Sequence, residues 1–526
     1  MRRAMAVGGA LAIAAMLTPA ARPVVPSLVT ASVDLPRHST IVNATKRAAD
    51  YYRTTYAHTT LLPKAGWSWA TYSQGVQALY RQAGDAAYLS DGLAWGRSNS
   101  WHTTTREIDP DLLKAGQTYF DLNAVDRTAS LAAMDATMAN DLAHQPLSRY
   151  DWEDALFMGL PVWTRWAKRT GQVAYFDRLD ALYAWARDSG ATSARCRGRT
   201  VPQTGLYDAA QGLWYRDCTF VGVRDSRGQP IFWARGNGWV IAAMAQVLES
   251  LPPGGPRAVK YASMLRTMAA RLVQAQGSDG LWRASLADAA LYPQPETSGT
   301  ALITYALASG IARGILDRAT YLPAVARAWQ GLTTISLQPN GFVTNCQGPG
   351  GSPGASYLGH VPRIAPTSTS SGTVNADSPP YCVGAFLLAG SAVARLPNNL
   401  SAGRPVTFTG QQVGHEARRV NDGDVTTRWS ASGFPKAVTI DLGADHLLTN
   451  SMVVPYAGRA YRFRIETSTD KVHWRLAIDH STTRIRGSRL DDFPSGAVAA
   501  RYARLTVTGV YATATIWAGI QEFAVY

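Results

Sequence analysis

The sequence predicts a large all-α domain followed by a small all-β sandwich, and two patterns carry this prediction. From about residue 40 to 396, apolar residues recur at spacings of three and four, as in Val76, Leu79 and Tyr80, which is the period of amphipathic helices. After residue 396 the pattern changes to short runs such as 437–442, with turn residues between them, which is typical of strands. With 526 residues and 46% hydrophobic composition, the chain has ample material for a large core.

Twelve helices are predicted in the first region, with starts near residues 41, 68, 86, 112, 128, 152, 172, 236, 254, 298, 318 and 380. Twelve amphipathic helices in successive pairs suit a closed (α/α)6 toroid, or six-hairpin barrel, because each pair buries its apolar stripe against its neighbours. An open helical solenoid is the alternative, but its units would show a regular sequence repeat, which this sequence lacks.

Two long connections interrupt the helices, at residues 189–235 and 336–379, and both are rich in Gly, Ser, Pro, Thr and aromatic residues. Long ordered loops are where functional sites are usually built. The second connection is especially rich in glycine between Gly348 and Gly354, and it is equally compatible with a flap that has no chemical role.

The N-terminus has the pattern of a secretory signal peptide, in which a basic start precedes an apolar stretch that ends near Leu17. The stretch is shorter than the roughly 20 residues that cross a bilayer. We therefore predict a secreted, extracellular protein with a signal peptide at residues 1–25 rather than a membrane-anchored one. We place the (α/α)6 domain at residues 36–397 and a jelly-roll sandwich at residues 398–526, a length typical of one β-sandwich.

The cysteine content is low, because four cysteines are too few to form the framework of so long a chain. In an oxidising compartment, their proximity in sequence favours the pairs Cys196–Cys218 and Cys346–Cys382. No CxxC motif or histidine cluster accompanies them, which argues against a metal site built on cysteine.

The formal net charge of +14 suggests nucleic acid, an anionic surface or an acidic polymer as partner. The arginines are scattered, with no long basic run and no nucleic-acid-binding motif, so we expect neither a nucleic acid nor a membrane as partner. An anionic oligosaccharide and a basic surface that is merely solvated are both compatible with this charge.

The first segment that suggests chemistry is 152–161, in which Asp154 stands at the start of a helix among apolar and aromatic residues. A carboxyl group desolvated by such neighbours has a raised pKa, which a general acid near neutral pH requires. Alternatively, Asp151, Glu153 and Asp154 simply complement the dipole of the helix in its first turn.

The second segment is 232–239, a loop that leads into a helix. Arg235 has a planar fork that matches a carboxylate, and Trp239 has a flat face on which a sugar can stack. Alternatively, Asn237 caps the helix and the aromatic residues belong to the core. A third segment begins at Glu296, for which we expect a structural role at the start of the next helix.

Together these segments resemble the unsaturated rhamnogalacturonyl hydrolases of glycoside hydrolase family 105, and they occur in the same order. The matching features are Trp67 with 72–75, 116–119, Trp152 with 154–158, 232–239, 296–298 and 384–390. The resemblance implies an (α/α)6 barrel and a hydrolysis that needs no cofactor. One Asp protonates C4 of a 4,5-unsaturated uronic acid, water adds at C5, and the hemiketal collapses.

The resemblance also implies roles for individual residues. Asp154 matches the acid/base residue, and Asp111 is the better match for a second, substrate-orienting carboxylate, although the register before Gly116 differs by about one residue. The implied substrate-binding residues are Trp152, Arg235, Asn237 and Trp239. A carboxylate substrate next to a basic fork agrees with the positive net charge.

The C-terminal region resembles discoidin, or coagulation factor 5/8 type C, carbohydrate-binding domains through 420–430, 437–442 and 520–523. Four residues there carry hard oxygen donors at spacings where such domains often hold a structural calcium ion: Asp422, Asp424, Thr427 and Glu522. The Asp-Gly-Asp run is equally compatible with a simple turn. Aromatic residues that are compatible with either a sugar-stacking platform or the core are Tyr456, Tyr461, Trp474 and Trp517.

Three functional hypotheses follow. In the first, an enzyme removes unsaturated uronate from oligosaccharides that polysaccharide lyases produce. In the second, the toroid is a catalytically silent scaffold for a lectin or adhesin. In the third, the toroid is an ordinary inverting glycoside hydrolase, which needs a second carboxylate roughly 6.5–9.5 Å from Asp154, with Asp111 and Glu296 as candidates.

Overall fold

Within the residues that the structure describes, twelve α-helices make up the first part of the chain, and each begins within a few residues of its predicted start. The computed structural model describes residues 35–56, 65–103, 109–354, 357–358, 379–397, 399–484, 487–494, 497–511 and 516–526. The predicted signal peptide and residue 398, where we place the domain boundary, lie outside the described residues. The helices are α1 His38–Tyr56, α2 Trp67–Ala83, α3 Ala86–Ser98, α4 Pro110–Val125, α5 Ala132–His144, α6 Asp154–Thr170, α7 Val173–Ser189, α8 Ala234–Ser250, α9 Pro256–Gln274, α10 Thr297–Ala312, α11 Arg318–Gly331 and α12 Pro380–Val393.

The even-numbered helices form a closed inner ring. Each of α2, α4, α6, α8, α10 and α12 packs against the next, and α12 packs against α2, while the odd-numbered helices lie on the outside of this ring. Helices α10 and α12 are buried along almost their entire length, as expected of helices that are apolar on all sides. The predicted (α/α)6 toroid is therefore confirmed. Among the described helices, none combines the length and apolar character that a membrane span requires.

The ring closes where α12 meets α2, and this contact depends on two glycines. A Cβ atom at Gly75 would lie 2.6 Å from the carbonyl oxygen of Gly384, and a Cβ atom at Gly384 would lie 2.5 Å from that of Thr71. Such distances leave no room for a side chain, so glycine at both positions permits the close approach of the two helices.

The two long connections each contain a short strand pair and a disulfide. The first holds β1 Tyr207–Asp208 and β2 Leu213–Trp214, and the second holds β3 Cys346–Gln347 and β4 Tyr357–Leu358. The disulfides join Cys196 to Cys218 and Cys346 to Cys382, which confirms both pairs expected from the sequence. The first ties two parts of one connection together, and the second ties the other connection to the start of α12.

The last part of the chain is a sandwich of two antiparallel sheets. Its strands are β5 Val406–Phe408, β6 Trp429–Ser432, β7 Lys436–Leu448, β8 Asn450–Pro455, β9 Tyr461–Ser468, β10 Arg475–His480, β11 Arg489–Asp492, β12 Val498–Val510 and β13 Trp517–Val525. One sheet has the strand order β10-β9-β12-β7-β5 and the other β11-β8-β13-β6. The side chains between the sheets form a separate apolar core, which includes Trp429, Ile465 and Phe523. The predicted all-β domain is confirmed.

The sandwich packs directly on the helices, and residues 34–526 form one compact unit. Gly84, which ends α2 with a positive φ of 62°, lies against Val454 so closely that a Cβ atom there would be 2.4 Å from the valine side chain. The ring of Tyr526 stacks on that of His38 at a centroid distance of 4.3 Å. Burial lowers the pKa of His38 to about 4, so this imidazole is neutral at physiological pH.

Candidate active site

A cavity of about 300 Å³ opens where the N-terminal ends of the inner helices meet the two long connections. Its walls are formed by Trp67, Asp111, Trp152, Asp154, Met158, Arg216, Trp233, Arg235, Trp239, Pro349, Gly350 and Gly351. The helices α2, α4, α6 and α8 contribute residues from their first two turns, Arg216 comes from the first connection, and residues 349–351 come from the second. The glycine-rich connection is thus part of the wall.

Asp154 is the first residue of α6, and its side chain is 14% exposed. Burial raises the pKa of Asp154, and the nearby Arg216 partly offsets this effect by stabilising the charged form. Nε of Arg216 lies 3.7 Å from Oδ2 of Asp154, and neither atom has a hydrogen-bond partner among the described residues. The acid and the cation therefore face each other in the cavity wall without a hydrogen bond between these two atoms.

Asp111, in the first turn of α4, lines the same cavity. Burial raises its pKa to about 7, and the carboxylates of Asp109 and Asp154 contribute in the same direction. Two carboxyl groups with raised pKa values therefore share this cavity, and they belong to the two residues that the resemblance linked to catalysis.

Arg216 is the cavity residue that sequence reasoning missed. It follows β2, and its carbonyl oxygen accepts a hydrogen bond of 2.8 Å from the backbone N–H of Glu153, which couples the first connection to the start of α6. Its guanidinium also donates to Asp217. The available signal for a functional role was its position in a long connection rich in aromatic residues, two residues before Cys218. Nothing in the local sequence distinguished Arg216 from its neighbours.

Arg235 lines the cavity, but its fork is largely occupied by the protein. It donates hydrogen bonds of 2.7 and 2.9 Å to the carbonyl oxygens of Gln347 and Gly348, and its guanidinium lies 4.2 Å from the ring centroid of Trp233. The predicted partner of this fork was a substrate carboxylate. In the structure, these two hydrogen bonds hold the second long connection in place. Residues 349–351 of that connection line the cavity.

The other predicted substrate-binding residues differ in position. Trp152 and Trp239 line the cavity, with the Trp239 ring packed at 4.6 Å from that of Phe157. Asn237 is fully buried outside the wall, and its side-chain amide forms hydrogen bonds in both directions with the backbone of Trp214, at 2.8 and 2.9 Å. The structure thus places Asn237 in a supporting position behind the cavity.

Glu296 caps α10, as expected. Its carboxylate accepts hydrogen bonds from the backbone N–H groups of Ser298 and Gly299, and also from the Ser298 hydroxyl. It is fully buried and does not line the cavity. Of the two candidates for a second carboxylate of an inverting hydrolase, only Asp111 faces the cavity.

Glu153 is a second buried acid beside Asp154. It is fully buried, and neither carboxylate oxygen has a hydrogen-bond partner among the described residues. Burial raises its pKa well above the usual range, and the neighbouring Asp154 adds to this effect. A Cβ atom at Gly236 would lie 1.6 Å from Oε1 of Glu153, so glycine at the start of α8 makes room for this carboxyl group.

Comparison with known sequences agrees with this architecture. Residues 40–396 match the family described as Glycosyl Hydrolase Family 88. The chain belongs to this family. Residues 405–523 match the F5/8 type C domain. The resemblance inferred from the motifs, a toroid of the unsaturated rhamnogalacturonyl hydrolase type followed by a discoidin-type domain, is therefore confirmed, and the protein is a glycoside hydrolase.

One relative and two solved structures illustrate the similarity of this family 88 hydrolase to known proteins. An "Unsaturated 3S-rhamnoglycuronyl hydrolase" of Formosa agariphila is 30% identical over 359 residues, which cover 64% of this chain and 86% of the relative. A solved family 88 glycosyl hydrolase from Bacteroides vulgatus has a TM-score of 0.58 and 27% identity, and the match covers 68% of this chain and 99% of that structure. A family 105 glycoside hydrolase from C. acetobutylicum, with a TM-score of 0.50 and 19% identity over 66% of this chain and 98% of that structure, shares the fold.

The F5/8 type C domain of the hydrolase has one place where oxygen donors converge. The Thr427 hydroxyl lies 2.8 Å from Oδ2 of Asp422, 3.2 Å from the main-chain oxygen of Asp424 and 3.5 Å from that of Arg419. Glu522 contributes a carboxylate whose Oε2 accepts a hydrogen bond of 3.1 Å from the backbone N–H of Gly423. Oε1 of Glu522 is buried and has no hydrogen-bond partner among the described residues.

The donors of this cluster are all oxygen atoms, which is the donor type that calcium ions prefer. Burial raises the pKa of Glu522 to about 8, and the nearby Asp422 and Asp424 contribute in the same direction. No group of three or more His, Cys, Asp or Glu side chains in the described parts of the chain has metal-binding geometry. A cation would therefore depend on two carboxylates with hydroxyl and main-chain oxygens, which are donor types that Ca²⁺ accepts. The Asp424 carboxylate instead accepts hydrogen bonds from Thr426.

Proposed function

We propose that this family 88 hydrolase removes a 4,5-unsaturated uronic acid from the non-reducing end of oligosaccharides produced by polysaccharide lyases, by hydration of the vinyl ether. The observation that carries the proposal is the pairing of Asp154, whose pKa is raised, with Arg216 at 3.7 Å in an aromatic cavity. This chemistry needs one acid/base carboxyl group. The wall supplies cations for a uronate carboxylate and indole rings for its sugar ring.

In the proposed reaction, protonated Asp154 donates its proton to C4 of the double bond, and the developing positive charge is shared by C5 and the ring oxygen. A water molecule attacks C5, and the Asp154 carboxylate accepts the proton that this water loses. The product is a hemiketal, which opens and releases the neighbouring sugar. Asp154 ends the cycle protonated, so no external acid is consumed.

The surroundings of Asp154 suit both halves of this cycle. Burial favours the protonated form before the first step, and Arg216 stabilises the carboxylate that exists between the two proton transfers. Arg216 is also placed to receive the uronate carboxylate, because it lines the cavity and its side chain is 23% exposed. We assign Asp111 to orienting the substrate, since its protonated form can donate a hydrogen bond to a sugar hydroxyl.

The choice of substrate rests on the relative from Formosa agariphila, whose name describes an unsaturated rhamnoglycuronyl hydrolase. Oligosaccharides that join an unsaturated uronate to rhamnose, with and without sulfate, are therefore the first substrates to test. The positive charge of the chain supports an anionic substrate.

The test is the ultraviolet absorbance of the C4=C5 double bond over time, with purified protein and unsaturated oligosaccharides prepared by lyases from several polysaccharides. We expect the absorbance to fall with at least one of them, and saturated oligosaccharides of the same composition to remain intact. Cleavage of the saturated series would instead indicate an ordinary inverting hydrolase. No reaction with any unsaturated substrate, by folded protein, would favour the lectin hypothesis.

We also propose that the protein is exported and that its F5/8 type C domain binds polysaccharide and holds a structural calcium ion. The two disulfides support an oxidising compartment. The calcium ion would be held by Asp422, Thr427 and Glu522 together with the main-chain oxygens of Arg419 and Asp424, and it would supply the positive charge that this cluster lacks.

A further inference from the structure

One glutamine connects the two ends of the glycine-rich loop that forms part of the cavity wall. We define this loop as residues 348–353, within the second long connection. Gln347 precedes it at the end of β3 and is fully buried. Its side-chain Nε2 donates hydrogen bonds of 3.0 and 2.9 Å to the carbonyl oxygens of Ser352 and Pro353, at the far end of the loop. The side chain thus bridges the base of the loop and holds its two ends together.

The same side chain fixes the loop to the cavity wall. Oε1 of Gln347 accepts a hydrogen bond of 2.7 Å from Nε1 of Trp233, which itself lines the cavity. An indole N–H can only donate and a carbonyl oxygen can only accept, so these three partners permit one orientation of the amide group. Both polar atoms of the side chain are therefore bonded, one to the wall and the other to the loop.

The backbone of Gln347 is also held by its neighbours. Its carbonyl oxygen accepts hydrogen bonds of 2.7 Å from Arg235 and 2.5 Å from the hydroxyl of Tyr381. The residue before it belongs to the disulfide Cys346–Cys382, which joins the start of the loop to the first turn of α12. Gln347 is thus fixed in place, and the position of the loop depends on the hydrogen bonds that its side chain makes.

The loop that Gln347 closes lies against the cation of the active site. A Cβ atom at Gly351 would lie 3.1 Å from Nε of Arg216 and 3.3 Å from its guanidinium carbon. The same Nε lies 3.7 Å from Oδ2 of Asp154, and the guanidinium also donates to Asp217. Arg216 therefore has neighbours on α6 and on the loop, and a displacement of the loop would remove one of them.

We propose that Gln347 is a positioning residue of this hydrolase, which holds the glycine-rich loop against Arg216 and thereby shapes the cavity wall that receives the substrate. The effect is indirect, because Gln347 is fully buried and does not line the cavity. Its kinetic consequences rest on the function proposed above, whereas the position of the loop does not.

The first test compares crystal structures of the wild type and of Gln347→Leu, in which the side chain keeps its approximate size but loses the hydrogen bonds of the amide. We expect residues 348–353 to leave the cavity wall and the inner helices to superpose on those of the wild type. A loop that stays against Arg216 in this variant would overturn the proposal, whether or not a substrate has been found. If Gln347→Leu does not fold, Gln347→Asn replaces it, because its amide is one methylene too short to reach both the wall and the loop.

The second test is steady-state kinetics with the unsaturated oligosaccharide that the wild type hydrates. We expect Gln347→Leu to raise KM about tenfold, because part of the wall is displaced, while the pH profile of kcat, which Asp154 determines, stays the same. A role only in overall folding would instead lower kcat in proportion to the unfolded fraction and leave KM unchanged. That result would count against a positioning role.

The matched control is Gln203→Leu, in the first long connection. The side-chain amide of Gln203 likewise donates to two nearby carbonyl oxygens, those of Gly205 and Tyr207, at 2.8 and 3.1 Å, but this residue does not line the cavity. We expect its KM and kcat to stay within about twofold of the wild-type values. The control thus separates the loss of a bridging amide in general from the loss of this one.

A double-mutant cycle tests whether Gln347 acts through the loop. With Gln347 intact, Gly351→Ala places a methyl group against Arg216 and should raise KM about threefold. In the Gln347→Leu background the loop is free to move away, so the same substitution should have a smaller effect. Equal effects of Gly351→Ala in the two backgrounds would show that Gln347 does not act through the loop.

Discussion

The toroid and the sandwich each bury carboxyl groups with raised pKa values, yet the two clusters face different surroundings. Asp154 faces a cavity with indole walls and the cation of Arg216 at 3.7 Å. Glu522 lies near the carboxylates of Asp422 and Asp424, and one oxygen of its own buried carboxylate has no hydrogen-bond partner among the described residues. The same physical effect, desolvation of an acid, thus occurs in two sites of different chemistry.

The chemical role of a carboxyl group with a raised pKa depends on the groups that surround it. At Asp154, burial stabilises the acid and Arg216 stabilises the base, so both protonation states are accessible and a proton can be exchanged with a substrate. At Glu522 the backbone N–H of Gly423 favours the charged form while burial, Asp422 and Asp424 oppose it, and the calcium ion proposed above would supply the missing positive charge. A raised pKa alone therefore does not distinguish a catalytic acid from a metal ligand.

The largest expected effect concerns the acid of the toroid. Asp154→Asn removes the proton donor while keeping the size of the side chain, and we expect activity on the unsaturated substrate to fall by about 10²–10⁴-fold, the usual contribution of a general acid. Far-ultraviolet circular dichroism and the melting temperature should be unchanged. The matched control is Asp151→Asn, because Asp151 belongs to the same segment but pairs with Arg195 and does not line the cavity. Retained activity in the Asp154 variant would refute its assignment as the acid.

The second prediction concerns the sandwich cluster. At free calcium about 100 times the Kd, binding should stabilise the folded domain by about 2.7 kcal/mol, which calorimetry detects as a rise in melting temperature relative to a chelator. Since Glu522 must lose its proton to bind the ion, the affinity should increase as the pH rises towards its pKa of about 8.

Variants make this test more specific, because Asp422 contributes its carboxylate to the cluster and Asp424 contributes its main-chain oxygen. Asp422→Asn and Glu522→Gln remove carboxylates of the cluster and should abolish the calcium-dependent shift. Asp424→Asn should reduce it less, because Asp424 presents its main-chain oxygen to the cluster while its carboxylate accepts bonds from Thr426. A melting temperature that is the same with calcium and with chelator would argue against the site.

The smallest expected effect concerns Glu153, the buried acid beside Asp154. Its pKa is raised in the folded protein, so the folded state holds this proton more tightly than the unfolded state. The resulting stability is fully present below the pKa of the unfolded chain and is lost as the pH rises through the folded value. Glu153→Gln removes this titration. As the pH rises above the usual pKa of a glutamate, the melting temperature of the wild type should therefore fall relative to that of the variant.

The two proteins are compared by the slope of their melting temperature against pH. Their absolute stabilities are not compared, because an amide in this position changes the hydrogen bonding at every pH. Parallel melting curves of the two proteins over the whole range would show that Glu153 ionises in the folded state as it does in the unfolded one, contrary to its burial without partners among the described residues.

Much of the fold followed from local patterns. The spacing of apolar residues located all twelve helices, since an amphipathic helix repeats its contacts every three to four residues and records them in the sequence. The disulfide partners were close in sequence, and Glu296 stood at the helix start that it caps. Asp154 was recognisable for the same reason, because the residues that desolvate it include its immediate neighbours in α6.

The tertiary structure decided which side chains meet across long connections. Arg216 reaches Asp154 only because the first connection folds back onto the start of α6, and a pair 62 positions apart leaves no periodic trace in a single sequence. The fork of Arg235 is held by Gln347 and Gly348, and the amide of Asn237 by Trp214, so the availability of these groups to a substrate depended on partners outside their own motif.

The sequence by itself thus determined the helical toroid, the β-sandwich and the catalytic candidate Asp154, because periodicity and short-range capping are local properties. Only the tertiary structure decided that Arg216 faces this acid, that the glycine-rich connection lines the cavity, and that Arg504 and Glu466 from separate strands form an ion pair on the sandwich. Such contacts arise from strand register and loop closure, which bring together residues that are distant along the chain.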